Sequence, residues 1–183
     1  FCENLGLQQI LSTGTQGGIW SGTGVDAATA KFNPTTAGDG DHIVTYSLIG
    51  DCPIDSSIII TVLPVMDPTI GNLTTGDVCI LDGIYAFTNT GDAGGTWTIS
   101  GSGVIDGTTG EVNLTSSGIG SFTVTYTFGG VCSVNDQTTI DIKGPGNPAI
   151  QSTGPFCENL GLQQILSTGT QGGTWAGIGI DPV

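Results

Sequence analysis

Residues His42–Val62 read "HIVTYSLIGDCPIDSSIIITV". The first run, through Leu48, alternates apolar and polar positions and is rich in β-branched and aromatic residues. After the turn residues "GDCP" comes a second β-branched run, "SIIITV". Alternation with period two puts one set of side chains on a buried face and the other on a solvated face, so these runs read as strands. The pattern returns at Ser121–Ile142 as "SFTVTYTFGGVCSVNDQTTIDI". "LQQILST" and "GIYAFTNT" are further strand candidates. Glycine-rich turns separate the runs every eight to twelve residues. No helical periodicity of useful length occurs, and glycine is too frequent for stable helices. Short strands with regular turns predict an all-β chain of β-sandwiches.

The recurrence covers the whole chain. "FCENLGLQQILSTGTQGG" occurs at Phe1–Gly18 and again, unchanged, at Phe156–Gly173, 155 positions later. At half that period, Cys2, Cys79 and Cys157 are spaced by 77 and 78, as are Trp20, Trp97 and Trp175. "DPTI" (Asp67–Ile70) returns as "NPAI" (Asn147–Ile150), 80 positions on. The unit is therefore a module of about 78 residues, and the long period is a diverged pair repeated as a pair. The expected organisation is a first module at 1–64, which lacks its first segment, a second at 65–145, and the start of a third at 146–183. Arrays of this kind grow by duplicating whole units. The chain is expected to be a window on a longer array.

Composition narrows the partners. The 183 residues include 32 Gly, sixteen acidic residues and only two basic ones, Lys31 and Lys143, for a formal net charge of −14. Mean hydropathy is nevertheless +0.21, unlike that of disordered acidic chains. No basic patch is available to neutralise phosphates, which argues against nucleic acid and against anionic lipid headgroups. No apolar run reaches the eighteen or so residues that a membrane helix needs, so membrane insertion of this segment is not expected.

The tryptophan of the "GGxW" signature is expected to pack a core, with Trp20, Trp97, Trp175, Tyr46 and Tyr126 as core aromatics. Stacking on sugar would instead require an exposed ring. The Gly-x-Gly of "WSGTGVD" lacks the strand–helix setting and the lysine of a phosphate loop and reads as a tight bend.

Five cysteines fall at two module positions, early (Cys2, Cys79, Cys157) and between the last two strands (Cys52, Cys132). Pairing within modules gives structural disulfides Cys2–Cys52 and Cys79–Cys132, leaving Cys157 to a partner beyond Val183. Each closes a loop of about 50 residues, worth about 3–4 kcal/mol in the chain-entropy model. If the early cysteine sits at the opposite end of the sandwich from the last hairpin, a bond between neighbouring modules is the alternative. Either pairing implies an extracellular or cell-surface location.

No catalytic, cofactor or metal site is predicted. "GDGDH" (Gly38–His42) places Asp39 and Asp41 close together, but the second module has "SGIGS" there, and the stretch does not fit an EF-hand loop. His42 is the only histidine, so no Ser-His-Asp set can recur. Asp51 and Asp55 could be imagined as a hydrolytic pair, but Val131 and Asn135 replace them in the second module. Asn72-Leu-Thr and Asn113-Leu-Thr match the glycosylation pattern.

The early cysteine, "GGIWSGTGV" (Gly17–Val25), "KFNPTTAGDGDHIVTY" (Lys31–Tyr46) and the late cysteine before a β-branched strand form one composite pattern. It resembles the immunoglobulin-like repeats of giant secreted surface proteins of the Bacteroidota, including gliding-motility adhesins of the SprB type and other type 9 secretion cargo. The second module departs from it, with "GEVNLTSSGIGSFTVTY" losing the aromatic, the proline and the histidine. The resemblance implies tandem immunoglobulin-like sandwiches, cell adhesion and a stalk or filament role, and carries over no catalytic residue. Expected partners are the neighbouring modules of the same chain, with self-association into fibres and a surface polysaccharide as further candidates. The alternative function is a carbohydrate-binding accessory module of a secreted enzyme.

Overall fold

The computed structural model describes residues 1–71, 77–151 and 154–180. It is an all-β chain of several sheets. The first repeat contains β1 (Gln8–Gln9), β2 (Ile19–Ser21), β3 (Val25–Asp26), β4 (Lys31–Phe32), β5 (Gly40–Leu48) and β6 (Ile54–Val62). The second contains β7 (Val78–Cys79), β8 (Ile84–Ala86), β9 (Thr96–Ile99), β10 (Glu111–Asn113), β11 (Gly120–Phe128) and β12 (Val134–Lys143).

The two stretches that alternate most clearly form the longest elements. β5 pairs antiparallel with β6 from Gly40↔Val62 to Leu48↔Ile54, and β11 pairs with β12 from Gly120↔Ile142 to Phe128↔Val134. In β11 the period-two pattern is realised residue by residue: Phe122, Val124, Tyr126 and Phe128 are buried, while the threonines between them are not. The hairpin sheets are extended to β2-β5-β6 and to β7-β12-β11-β9. β7 joins its sheet in parallel, with Lys143 opposite Cys79, and the first repeat repeats this as a single parallel bridge between Cys2 and Leu63. The short sheets β1-β4-β3 and β8-β10 complete the repeats.

Each repeat has its own core. Ile10, Phe32, Val44, Ile60 and Val62 form the first, with Trp20, Val25 and Ala37 packed against it. Ile70, Phe87, Trp97, Val112, Leu114, the inward residues of β11, Ile140 and Ile142 form the second. Each core draws residues from its short sheet and from its long hairpin. Fully burying a Phe, Leu or Ile contributes about 1.5–3 kcal/mol. Phe87, Leu114, Ile140 and Ile142 are all in that class.

Two single helical turns, Pro34–Ala37 and Leu114–Ser117, precede the long hairpins. They are too short for a helical period to reveal. Their caps are nonetheless written in the sequence: the Asn33 side chain accepts from the backbone N–H groups of Thr35 and Thr36, and Asn113 accepts from Ser116. Pro34 follows its cap at the first helical position. The bend expected at "WSGTGVD" is a turn closed by a hydrogen bond from Val25 N to Gly22 O. No helix among the described residues is long and apolar enough to cross a membrane.

Candidate functional site

The feature of this chain with most to say about function is the joint between the two cores. β6 ends at Val62, and Leu63 hydrogen-bonds to both neighbours of Cys2: Leu63 N donates to Phe1 O (2.7 Å) and Glu3 N donates to Leu63 O (2.9 Å). The early cysteine is thereby fixed where the chain leaves the first repeat. The chain then runs to Ile70, whose N–H donates to the Asp136 carboxylate at 2.9 Å. Asp136 belongs to the tip half of the β11–β12 hairpin, so that tip lies against the joint. At the tip itself, Cys132 is bonded to Cys2, with their Cα atoms 5.5 Å apart.

This corrects the expected pairing. Cys2–Cys52 and Cys79–Cys132 are not formed, and Cys52, Cys79 and Cys157 are free thiols. The reason is geometric. The early cysteine sits at the end of β6 and the late one in the turn before it, so nine strand residues separate them within a repeat. At about 3.3 Å per residue that is roughly 30 Å. A disulfide needs Cα atoms about 4.4–6.8 Å apart. The next repeat's hairpin tip is the group within reach, which is the alternative that the sequence left open.

The second element of the joint is an extended segment that caps the following repeat. In the second repeat, Gly71 N donates to Thr88 O, Thr90 N to Thr69 O and Asp92 N to Asp67 O, all at 2.8–2.9 Å. This ladder drops Ile70 into the core, where it is 3% exposed. The third repeat copies it: Gln151 N donates to Leu166 O, Thr168 N to Ala149 O and Thr170 N to Asn147 O.

In the second repeat this segment packs Ile70 into the cluster that holds the aromatic unit behind the "GGxW" signature. Trp20 stacks on Tyr46 and Trp97 on Tyr126, at centroid distances of 4.7 and 4.5 Å. Each tyrosine hydroxyl clamps the loop before the tryptophan. Gly18 N donates to Tyr46, which donates to Thr15 O. Gly95 N donates to Tyr126, which donates to Asp92 O. The second glycine is required because the tyrosine ring occupies its side-chain space: a Cβ on Gly18 or Gly95 would lie 2.6 Å from Cζ of that ring. Trp97 and Tyr126 are buried, Trp20 and Tyr46 are half-buried, and Trp175 is half-buried outside both cores.

The remaining candidates have local roles. His42 stands where the second repeat has Phe122 and hydrogen-bonds to Gly38 O, and Asp41 accepts from the Thr61 hydroxyl. Asp26 and Asp106, at matching positions, each fold their own turn. The Thr29 hydroxyl and Ala28 N–H hold the Asp26 carboxyl below the usual carboxylate range, and the N–H groups of Thr109 and Thr108 do the same for Asp106. Thr69, through its hydroxyl and its N–H, likewise lowers Asp67. Asp39, Asp51 and Asp55 are exposed. Among the described residues no group of three His, Cys, Asp or Glu side chains could hold a metal. Asn113 is exposed but engaged as a helix cap, and Asn72 lies outside the described residues. In comparisons with known proteins, no family model and no curated protein matches this chain.

Proposed function

We propose that this chain is a structural segment of an extracellular array of immunoglobulin-like β-sandwich modules, acting as the stalk or fibre of a surface adhesin. The proposal includes the resemblance to the giant secreted repeat proteins of the Bacteroidota, and it assigns the chain no enzymatic activity. The observation that carries it is the Cys2–Cys132 bond, which ties one repeat to the next across the joint. Such a bond adds little to the core of either repeat. It fixes the angle between them, which is what a load-bearing or projecting array requires. The polar capping segment supports the same reading, because it makes the start of each repeat part of the joint.

A carbohydrate-binding module would need an exposed aromatic platform in each repeat. Trp97 is only 4% exposed, so the second repeat has none at that position. Small-angle X-ray scattering in oxidised and reduced buffer tests the proposal. A stiff rod of fixed length that shortens on average and broadens on reduction is the expected result. Identical scattering in both states, or peptide mapping that finds no Cys2–Cys132 bond, would refute it.

A further inference from the structure

The second repeat carries a groove of about 760 Å³ between the loop before β9 and the turn before β10, with Asn89, Gly94, Thr96, Trp97, Thr108 and Tyr126 in its walls. Every wall residue belongs to this repeat, between Phe87 and Tyr126. Tyr126 is six strand residues from Gly120, so the groove lies roughly 20 Å along β11 from the end where the chain leaves the repeat. Trp97 is 4% exposed, and its indole N–H has no hydrogen-bond partner among the described residues. Among those residues no fully enclosed side-chain nitrogen or oxygen lacks a partner, so Nε1 reaches the surface. The surface that Trp97 lines is this groove. Gly110 leaves room beside the nitrogen: a Cβ there would lie 3.0 Å from Nε1. The first repeat has Ala30 at that position, and Ala27 and Ala28 in place of Gly107 and Thr108.

We propose that this groove binds a neutral sugar unit of a surface polysaccharide, held by hydrogen bonds to the indole edge and not by stacking on its face. The inference goes beyond the stalk reading and stands without it. The indole N–H only donates, and leaving such a group unmet at depth costs about 1–3 kcal/mol, so an oxygen acceptor belongs beside it. Asn89 donates from its amide nitrogen to Gly91 O and Asp92 O, while its Oδ1 has no partner among the described residues. The hydroxyls of Thr96 and Thr108 are uncommitted in the same sense. A sugar hydroxyl both donates and accepts, which matches a wall that presents a donor, an acceptor and hydroxyls together. The volume falls within the range of about 300–1,000 Å³ usual for small-molecule sites.

Charge and backbone pairing select this class of ligand over others. The walls hold no Asp, Glu, Lys, Arg or His, in a chain of net charge −14. The carboxylate of the adjoining turn, Asp106, is committed to the N–H groups of Thr108 and Thr109. A charged ligand therefore finds no counter-charge, and an anionic one meets the field of an acidic chain. A peptide strand would need an open backbone ladder. Here Trp97 N donates to Gly107 O, Phe87 N to Gly110 O and Gly95 N to the Tyr126 hydroxyl. Binding through the ring edge needs no exposed face, so the burial of Trp97 is compatible with it.

The test follows the indole N–H signals of the three tryptophans in a ¹H–¹⁵N correlation spectrum of the oxidised full chain, with Trp20→Phe and Trp175→Phe to assign them. The probes are maltopentaose, cellopentaose, laminaripentaose and mannopentaose at about 10 mM, tenfold above a millimolar Kd. Expected is a saturable shift of the Trp97 signal with at least one of these sugars, while those of Trp20 and Trp175 stay in place. Thr108→Ala, which installs the alanine of the first repeat, should weaken that binding by about two- to tenfold, the loss of one hydrogen bond. Thr108 is exposed and outside both cores, so this variant folds. No Trp97 shift with any of the four sugars, equal shifts of all three indoles, or affinity unchanged by Thr108→Ala would overturn the inference. So would an equal response to an oligogalacturonate, or a response to a neutral Gly/Ser peptide in place of the sugars.

Discussion

Cys2 and Cys132 are 130 residues apart in sequence and covalently joined across the boundary between two separate hydrophobic cores. Replacing both with serine should loosen the joint without unfolding either core. The chain-entropy model gives a loss of up to about 5 kcal/mol for a loop of this length. Scattering profiles should broaden, and chemical denaturation should resolve two transitions where the oxidised chain shows closer coupling. Unchanged profiles would count against the disulfide as the element that sets the joint.

Ile70 and Ile150 are equivalent in sequence but not in burial. Ile70→Ala should cost about 2–5 kcal/mol, the range for truncating a core side chain. Ile150→Ala should stay within about 0.5 kcal/mol, as for surface changes. Denaturant midpoints of the two variants measure the difference.

Tyr126→Phe removes one hydroxyl that serves two backbone groups, Gly95 N and Asp92 O. Both are then left without that partner beside a buried ring, at a cost of about 1–3 kcal/mol. Tyr46→Phe removes the same pair of bonds in the half-buried first repeat, where water can substitute. Its cost should be nearer 0.5–1 kcal/mol, an order-of-magnitude figure for a bond replaced by solvent. Equal costs would show that the clamp does not depend on burial.

Gly95→Ala forces a methyl group into the Tyr126 ring and towards Thr127 O. Overpacking of this kind costs about 1–3 kcal/mol. The glycine's backbone is not in the left-handed region, so the effect is steric. A second change, Tyr126→Ala, should remove the penalty of the first, and a double-mutant cycle reads that coupling.

Asp26, Asp67 and Asp106 all have their carboxyl pKa lowered by local hydrogen bonds. A depressed carboxyl favours the folded state above its unfolded pKa, and the contribution is lost as pH falls through the folded value. Stability should therefore be level near neutrality and should decline as the pH drops below about 4, the ordinary aspartate range. Asn replacements at Asp26 and Asp106 should flatten that decline, as read from denaturant midpoints across the acid range.

The sequence by itself determined the strands with strict alternation and the period of the repeats. These follow from short-range rules: period two in β5 and β11, and the spacing of tryptophan, tyrosine and cysteine. Expected strands at "LQQILST" and "GIYAFTNT" shrank to Gln8–Gln9 and Ile84–Ala86. In the second stretch Thr88 and Thr90 instead form the edge that receives the capping segment, and such long-range pairings leave no local period. The cysteine partners were beyond the sequence for the same reason. Two cysteines per repeat fit two pairings equally well by counting. Only the tertiary structure, by placing them at opposite ends of a nine-residue strand and bringing the next hairpin tip to the joint, decided between them.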